Sequence, residues 1–257
     1  MVSIYDDAVK LWQRWRVRTE ADIDQRLDNF RILFAYNSGK IENDAITYND
    51  TRKVFENGRV LNYSGLPRTI FEIANQKICY EFLKPKLAAR EPIRIALIKE
   101  VHGALTGGTY DERQYVERGE RPGEFKKHDY MIGLAEAGSL PEDVESDLTE
   151  LLSGLNEYEE KELLKVAAYF HVRFEYIHPF ADGNGRVGRT LLNYFLMIHD
   201  HPPLIIYNED KAAYYDALAA YDTSEDLELM AAFLKHEIER TWEKTLGREQ
   251  QREDSKG

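Results

Sequence analysis

The 257-residue chain has one cysteine, Cys79, so it can form no internal disulfide and has no cysteine cluster to hold zinc. That usage suits a reducing cytoplasm. No stretch approaches the roughly 20 consecutive apolar residues that span a bilayer. Met1 to Asp7 reads M-V-S-I-Y-D-D, without a basic start or an apolar run, so no signal peptide is expected. Positive charge is also short: 34 Lys and Arg stand against 46 Asp and Glu, a net charge of −12. A surface that tracks nucleic-acid phosphate needs a basic face, so nucleic-acid binding is not expected as the main role. A local basic pocket for one nucleotide remains compatible with that balance. Internal repeats and low-complexity blocks are missing as well.

What is present is helical periodicity. Ile23, Leu27, Phe30, Leu33 and Phe34 recur on one face, as do Ile70, Ile73, Ala74, Ile78 and Phe82. Pro85 is expected to end or kink the second of these helices. Pro92 is placed to open the next, with Ile95, Leu97, Ile98, Val101 and Leu105. Residues 107–133 break the pattern with five glycines and one proline, which predicts a long loop holding a short hairpin centred on Gly123, Glu124, Phe125, Lys126 and Lys127. Pro141 opens a helix through Leu152. Leu163 to Ile177 reads as a central apolar helix, Gly188 to His199 as a second, and Tyr214 to Ala220 and Leu227 to Thr241 as two more. Gly247 to Gly257 is polar and reads as a flexible tail.

Between the two most apolar helices lies His178-Pro179-Phe180-Ala181-Asp182-Gly183-Asn184-Gly185-Arg186-Val187-Gly188-Arg189. Pro179 forces a turn. Gly183 and Gly185 permit unusual backbone angles and close approach. A glycine-rich loop that feeds a helix start makes an anion cradle, because the first amides lack intrahelical partners and the helix dipole is positive there. Arg186 and Arg189, three apart, project to one side and suit a polyphosphate. Asp182 beside phosphates needs a cation between, and magnesium commonly binds through one or two carboxylates plus phosphate oxygens. His178 is suited to accept a proton near pH 7. Base, metal carboxylate and phosphate nest within twelve residues describe transfer at phosphorus.

This segment resembles the signature of the Fic family, H-P-F-x-[DE]-G-N-G-R-x-x-R, at every fixed position. The resemblance implies a mainly α Fic/Fido helical fold with a small β-hairpin flap and an N-terminal helical extension. It divides the chain into an N-terminal region over 1–90, a catalytic core over 91–246 and the tail over 247–257. It implies a protein adenylyltransferase that moves AMP from ATP to a Ser, Thr or Tyr hydroxyl of a target protein, the chain itself included. His178 would be the general base and Asp182 the Mg²⁺ ligand. Gly183, Asn184 and Gly185 would hold the α- and β-phosphates, Arg186 the β-phosphate and Arg189 the γ-phosphate, while Phe180 anchors the loop. Relatives of the Doc group, which transfer phosphate, carry Lys where this chain has Gly185, so Gly185 favours AMP transfer. Gly123 to Lys127 looks like the flap that holds a target strand, with a plain surface hairpin as the alternative. Tyr214 and Tyr215 are candidates for the adenine pocket, with a structural role equally open, and Asn193 for the ribose or adenine.

Ser38-Gly39-Lys40-Ile41-Glu42-Asn43 resembles the family's inhibitory motif, [ST]-x-x-x-E-[GN]. The resemblance implies that Glu42 pairs with Arg189 and takes the space of the γ-phosphate. Four other Ser/Thr–Glu pairs share the spacing, but only Ser38/Glu42 is followed by Gly or Asn. The plainer reading is a solvated Glu near a helix end with Asn43 as its cap. Removal of AMP by a water that Glu42 positions, and a dormant binding scaffold, are the alternatives to transfer. Homodimers are common in this class, and no membrane partner is expected. His171, two turns before His178, reads as a satisfied core histidine, and His102 has no supporting pattern.

Overall fold

The computed structural model describes residues 3–60, 63–132, 135–136, 138–155 and 162–255. Among the described residues ten α-helices dominate: α1 (Ile4–Trp15), α2 (Glu20–Glu42), α3 (Tyr48–Asn57), α4 (Pro67–Ala89), α5 (Ile95–Thr106), α6 (Val144–Gly154), α7 (Leu163–Ile177), α8 (Asn184–Ile198), α9 (Lys211–Ser224) and α10 (Glu228–Asp254). Two-residue strands β1 (Met131–Ile132) and β2 (Ala135–Glu136) pair antiparallel, Met131 opposite Glu136 and Ile132 opposite Ala135.

Local signals set the helix ends. Thr19 accepts from the Asp22 amide while Asp22 reaches back to the Thr19 amide, a reciprocal capping box that starts α2. Ser3 and Thr47 cap α1 and α3 in the same way from one side. Pro67 occupies the first turn of α4, where its missing N–H costs nothing.

Alpha8 is the axis of the molecule. Nearly every residue from Asn184 to Ile198 is buried, with α7, α5, α4 and α2 packed around it. One continuous core runs from Ala8 of α1 to Trp242 of α10 and includes Leu27 and Ile41 of α2, Phe170 and Phe174 of α7, and Leu191 and Phe195 of α8. Helices α1, α2 and α4 are therefore built into the same core as the glycine-rich turn, which fixes α2 and α4 against the site, while α3 packs through Val54 and Phe55 in two smaller clusters.

Several elements depart from the sequence pattern. Pro85 neither ends α4 nor stands at its edge: the helix continues to Ala89, because Leu83 and Leu87 on either side are buried in the core. Helix α5 opens at Ile95, three residues past Pro92. The hairpin is not at 123–127, which has no strand; β1 and β2 lie downstream of it. The polar stretch from Gly247 is helical through Asp254, and Arg14 of α1 pairs with Glu253 at 2.9 Å. Helices α1 and α3 had no sequence assignment. No helix among the described residues is long and apolar enough to cross a membrane.

Candidate functional site

The site forms where α7 stops and α8 starts. Phe174 and Ile177 bury the last turn of α7, and His178 then takes a left-handed conformation (φ 50°, ψ 60°) that turns the chain. Phe180 follows into the core with no exposed surface. Gly183 turns the chain again at φ 83°, and a Cβ there would stand 2.7 Å from Thr106 Cγ2, so glycine is required on both counts. As N-cap it supplies no side-chain acceptor, so no N-cap side chain satisfies the first amides of α8.

The turn is braced from three sides. The Asn184 carboxamide clamps Phe180, accepting from its N–H at 2.9 Å and donating to its C=O at 2.7 Å. Its side chain thus holds the loop's shape, and what Asn184 offers a ligand is its backbone. His102 of α5 lies parallel to Phe180 with ring centroids 3.7 Å apart. His102 Nδ1 accepts from the Gly123 amide at 2.8 Å, so its proton sits on Nε2, which donates to the Asp182 carbonyl at 3.0 Å. Burial lowers the His102 pKa to about 4, so the ring is neutral. The Lys126 amide donates to the Pro179 carbonyl at 2.9 Å, and Phe125 packs near Phe180.

His178 is half-buried, and Gly138, just after the hairpin, packs against its Cβ so closely that no Cβ fits at 138. Burial first, and Lys126 second, lower the His178 pKa to about 4. The imidazole is a neutral base near pH 7. Lys126 is buried, 3% exposed, whereas Lys127 pairs with Glu124 at the surface.

At the other end of the turn, Arg189 is 2% exposed. Its Nε donates to Ser38 Oγ at 3.1 Å, and Nη2 donates to Ser38 O at 2.9 Å and to Glu42 Oε1 at 2.8 Å. Glu42 is the last residue of α2 and Asn43 caps it, its N–H donating to Gly39 O. Glu42 Oε1 rests so close to Gly185 that a Cβ there would collide with it. The carboxylate thereby sits over the first turn of α8, where the helix field favours an anion. Within Ser38–Asn43, then, Asn43 caps a helix and Glu42, its side chain 35% exposed, is an ion-pair partner of Arg189. Behind them the Glu175 carboxyl of α7 is buried against Gly188, and burial, opposed by Arg189, raises its pKa to about 7.

Asp182 is bound by arginines, Oδ2 accepting from Arg68 of α4 at 2.6 Å and Oδ1 lying 3.5 Å from Arg186. Among the described residues no group of three or more His, Cys, Asp or Glu could hold a metal ion. A single carboxylate is too few ligands for a metal held by protein alone, so a cation at Asp182 would take its other ligands from phosphate and water.

Other sequence candidates resolve differently. Tyr214 is buried behind Arg189 with its hydroxyl 2.8 Å from His171 Nε2, so it offers no face to a purine. His171 is a core histidine, as expected, but it is satisfied on one side only: Nε2 meets Tyr214, while the buried Nδ1 has no hydrogen-bond partner among the described residues. Tyr215 is 42% exposed and stays available for stacking. Asn193 is consumed by the backbone of Leu204 in both directions. His102, Arg68 and Glu120 had no sequence signal. Glu120 is a buried acid that accepts from the Lys127 amide and from Tyr130 and meets His128 at 2.9 Å, ordering the segment before the hairpin.

Residues 92–196 match the Fic/DOC family. Protein adenylyltransferase fic-1 of Caenorhabditis elegans is 29% identical over 191 residues, 73% of this chain and 36% of that protein. Protein adenylyltransferase Fic of Drosophila persimilis is 29% identical over 185 residues, 71% of this chain and 34% of that protein. The chain spans about a third of the length of these curated relatives. Among solved structures, a Fic domain containing signaling protein from Bacteroides thetaiotaomicron superposes with a TM-score of 0.78 at 23% identity, over 95% of this chain and 96% of that one. Residues 134–508 of C. elegans Fic-1 give the same TM-score at 23% identity, over 96% and 72%. The fold is that of these proteins.

Proposed function

We propose that this chain, whose residues 92–196 match the Fic/DOC family, is a protein adenylyltransferase that moves AMP from ATP to a target hydroxyl and is held inactive by Glu42. The observation that carries the reading is the Glu42 carboxylate over Gly185, paired with Arg189 at 2.8 Å. An anion already sits at the helix start, and it belongs to the chain itself.

With Glu42 displaced, Arg189 and Arg186 face the terminal phosphates of ATP while the first amides of α8 hold the chain of phosphates behind the α-phosphorus. Asp182 would hold Mg²⁺, which supplies charge neutralisation on the phosphates. His178 takes the proton of the target's hydroxyl as that oxygen bonds to the α-phosphorus. The bond from the α-phosphorus to the bridging oxygen breaks, and pyrophosphate leaves with the electron pair. Positioning and fixed charge supply most of the rate, because each group is held before substrate arrives. Gly185 favours this course: a side chain there would enter the space of the phosphates. The hairpin β1–β2, with residues 123–127 leading into it, is the surface for the target segment, and Tyr215 lies on the adenine side. Work in a reducing cytoplasm is part of the reading, as is assembly into a homodimer.

Labelling with α-³²P-ATP tests it. Glu42→Gly should transfer label to protein at least tenfold faster than the natural chain, and adding His178→Ala should abolish it. A Glu42→Gly protein that binds ATP yet never transfers label would sink the proposal.

A further inference from the structure

Asp182 is the only carboxylate of the His178–Arg189 segment, and it is the residue to which the reading above assigns the cation that serves the phosphates. In the structure its Oδ2 already accepts from Arg68 Nη2 at 2.6 Å. Arg68 lies in the first turn of α4, outside the residues that match the family. It is aimed by Glu72, one turn on, whose Oε1 accepts from Arg68 Nε at 2.9 Å. Glu72 is buried, lies 3.6 Å from Arg186, and its Oε2 accepts from Asn43 Nδ2 at 2.7 Å. Asn43 directly follows Glu42. One buried carboxylate therefore joins the cap of α2 to the arginine that sits on Asp182.

We propose that Arg68 occupies the place of the divalent cation at Asp182 and sets how much metal the site needs, so that the N-terminal helices close the turn at two points, Glu42 on Arg189 and Arg68 on Asp182. The inference rests on the nucleotide-binding reading above. A guanidinium and a divalent ion on one carboxylate repel each other at contact distance, so the ion binds at the expense of Arg68. The two arginines at Asp182 differ in what they can do about this. Arg186 is buried and fixed between Glu72 and Asp182, whereas the Arg68 side chain is 43% exposed and can swing into water or toward arriving phosphates. An ion pair exposed to that degree is weak, which suits displacement by a metal–nucleotide complex. Removal of Glu42 alone leaves this second contact in place.

The test uses Glu42→Gly/His178→Ala protein, which opens the nucleotide site and blocks turnover, with and without Arg68→Ala. Mn²⁺ binding is followed by loss of the free-ion EPR signal in the presence of a saturating non-hydrolysable ATP analogue. Affinity for the analogue in EDTA is measured separately by calorimetry. Arg68→Ala should tighten Mn²⁺ binding roughly threefold to tenfold and leave the affinity in EDTA within about twofold. Arg68→Gln, which removes the charge and the Nη atoms but keeps most of the aliphatic stem and a hydrogen-bonding amide, should do the same and covers a loss of folding in the alanine variant. Unchanged Mn²⁺ affinity overturns the inference. So does a parallel loss of nucleotide affinity with and without metal, which would make Arg68 a phosphate ligand. If the parent Glu42→Gly/His178→Ala protein binds no metal–nucleotide at all, the failure lies with the nucleotide-site reading.

Discussion

Glu42 Oε1 and Gly185 are in such close contact that the absence of a side chain at 185 is what lets the carboxylate settle on the start of α8. Gly185 therefore serves two occupants in turn, the internal carboxylate and, in the proposed reaction, a phosphate. Gly185→Ala separates them. Its Cβ would meet Glu42 Oε1 and stand 2.8 Å from Arg189 Nη1, so the ion pair should loosen without opening a usable site. In the Glu42→Gly background, Gly185→Ala should weaken ATP binding by at least about tenfold and remove most labelling, while the melting temperature changes little because alanine suits a helix interior. Gly185 stands in the first turn of α8, where alanine is also accommodated; calorimetric titration with ATP checks the prediction, and full labelling by the double variant would contradict it.

His102 shows how a positioning residue can lie far from any motif. It joins Gly123, Phe180 and Asp182 through two hydrogen bonds and a parallel ring stack. Its removal should let Asp182 and the adjoining turn drift, and drift of about 1 Å at a reacting site can cost two orders of magnitude. In the Glu42→Gly background, His102→Ala should lower kcat about 10- to 100-fold, with a smaller change in KM for ATP. The protein should still melt cooperatively. An unchanged kcat in a folded variant would show that the turn keeps its shape without the histidine.

The sequence carried the turn itself because its chemistry is local: a proline, two glycines, and a base, an acid and two arginines within twelve residues, between helices whose apolar faces are readable. Alpha7 matches its periodic stretch from Leu163 to Ile177 to the residue. What could not be read was made by distance in space. Arg68 lies 114 residues from Asp182 and His102 lies 80 from it, and no spacing rule connects them. Asn184 was legible as a site residue, but its side chain turned inward to the Phe180 backbone, because a buried carbonyl and amide next to a glycine turn need partners more than the ligand does. Tyr214 failed as an adenine candidate for the converse reason: helix α9 buries its first face against α7, leaving only Tyr215 outside. The hairpin was placed too early because the glycines at 119 and 123, both at positive φ, turn the chain around the buried Glu120 before any strand begins.

Glu237 of α10 is buried with Oε1 unpaired, while Oε2 accepts from the Tyr207 amide. Burial raises its carboxyl pKa to about 8. A raised carboxyl stabilises the fold fully below the unfolded value of about 4.5, and that contribution is lost as pH rises through 8. Glu237→Gln removes the titration and keeps an acceptor for Tyr207. The variant should match the natural chain near pH 5 and exceed it near pH 9 by on the order of 2 kcal/mol. Urea melts at both pH values check this; a gap that does not widen with pH would exclude a buried ionisation at Glu237.

The pH profile of label transfer tests the state of His178. Its pKa is lowered to about 4, chiefly by burial, with Lys126 lowering it further and Glu42 and Asp182 opposing. A base must be unprotonated to act, so activity is lost as pH falls through that value rather than through the ordinary 6.5. In the Glu42→Gly protein one opposing carboxylate is gone, which pushes the value lower still. The acid limb of kcat/KM should therefore lie below about pH 5, and transfer at pH 6 should be close to that at pH 7.5. Lys126→Met removes the nearby positive charge, so the limb should move toward higher pH. A limb near 6.5 in Glu42→Gly, unmoved by Lys126→Met, would mean that the reacting imidazole is open to water and that another group limits the rate.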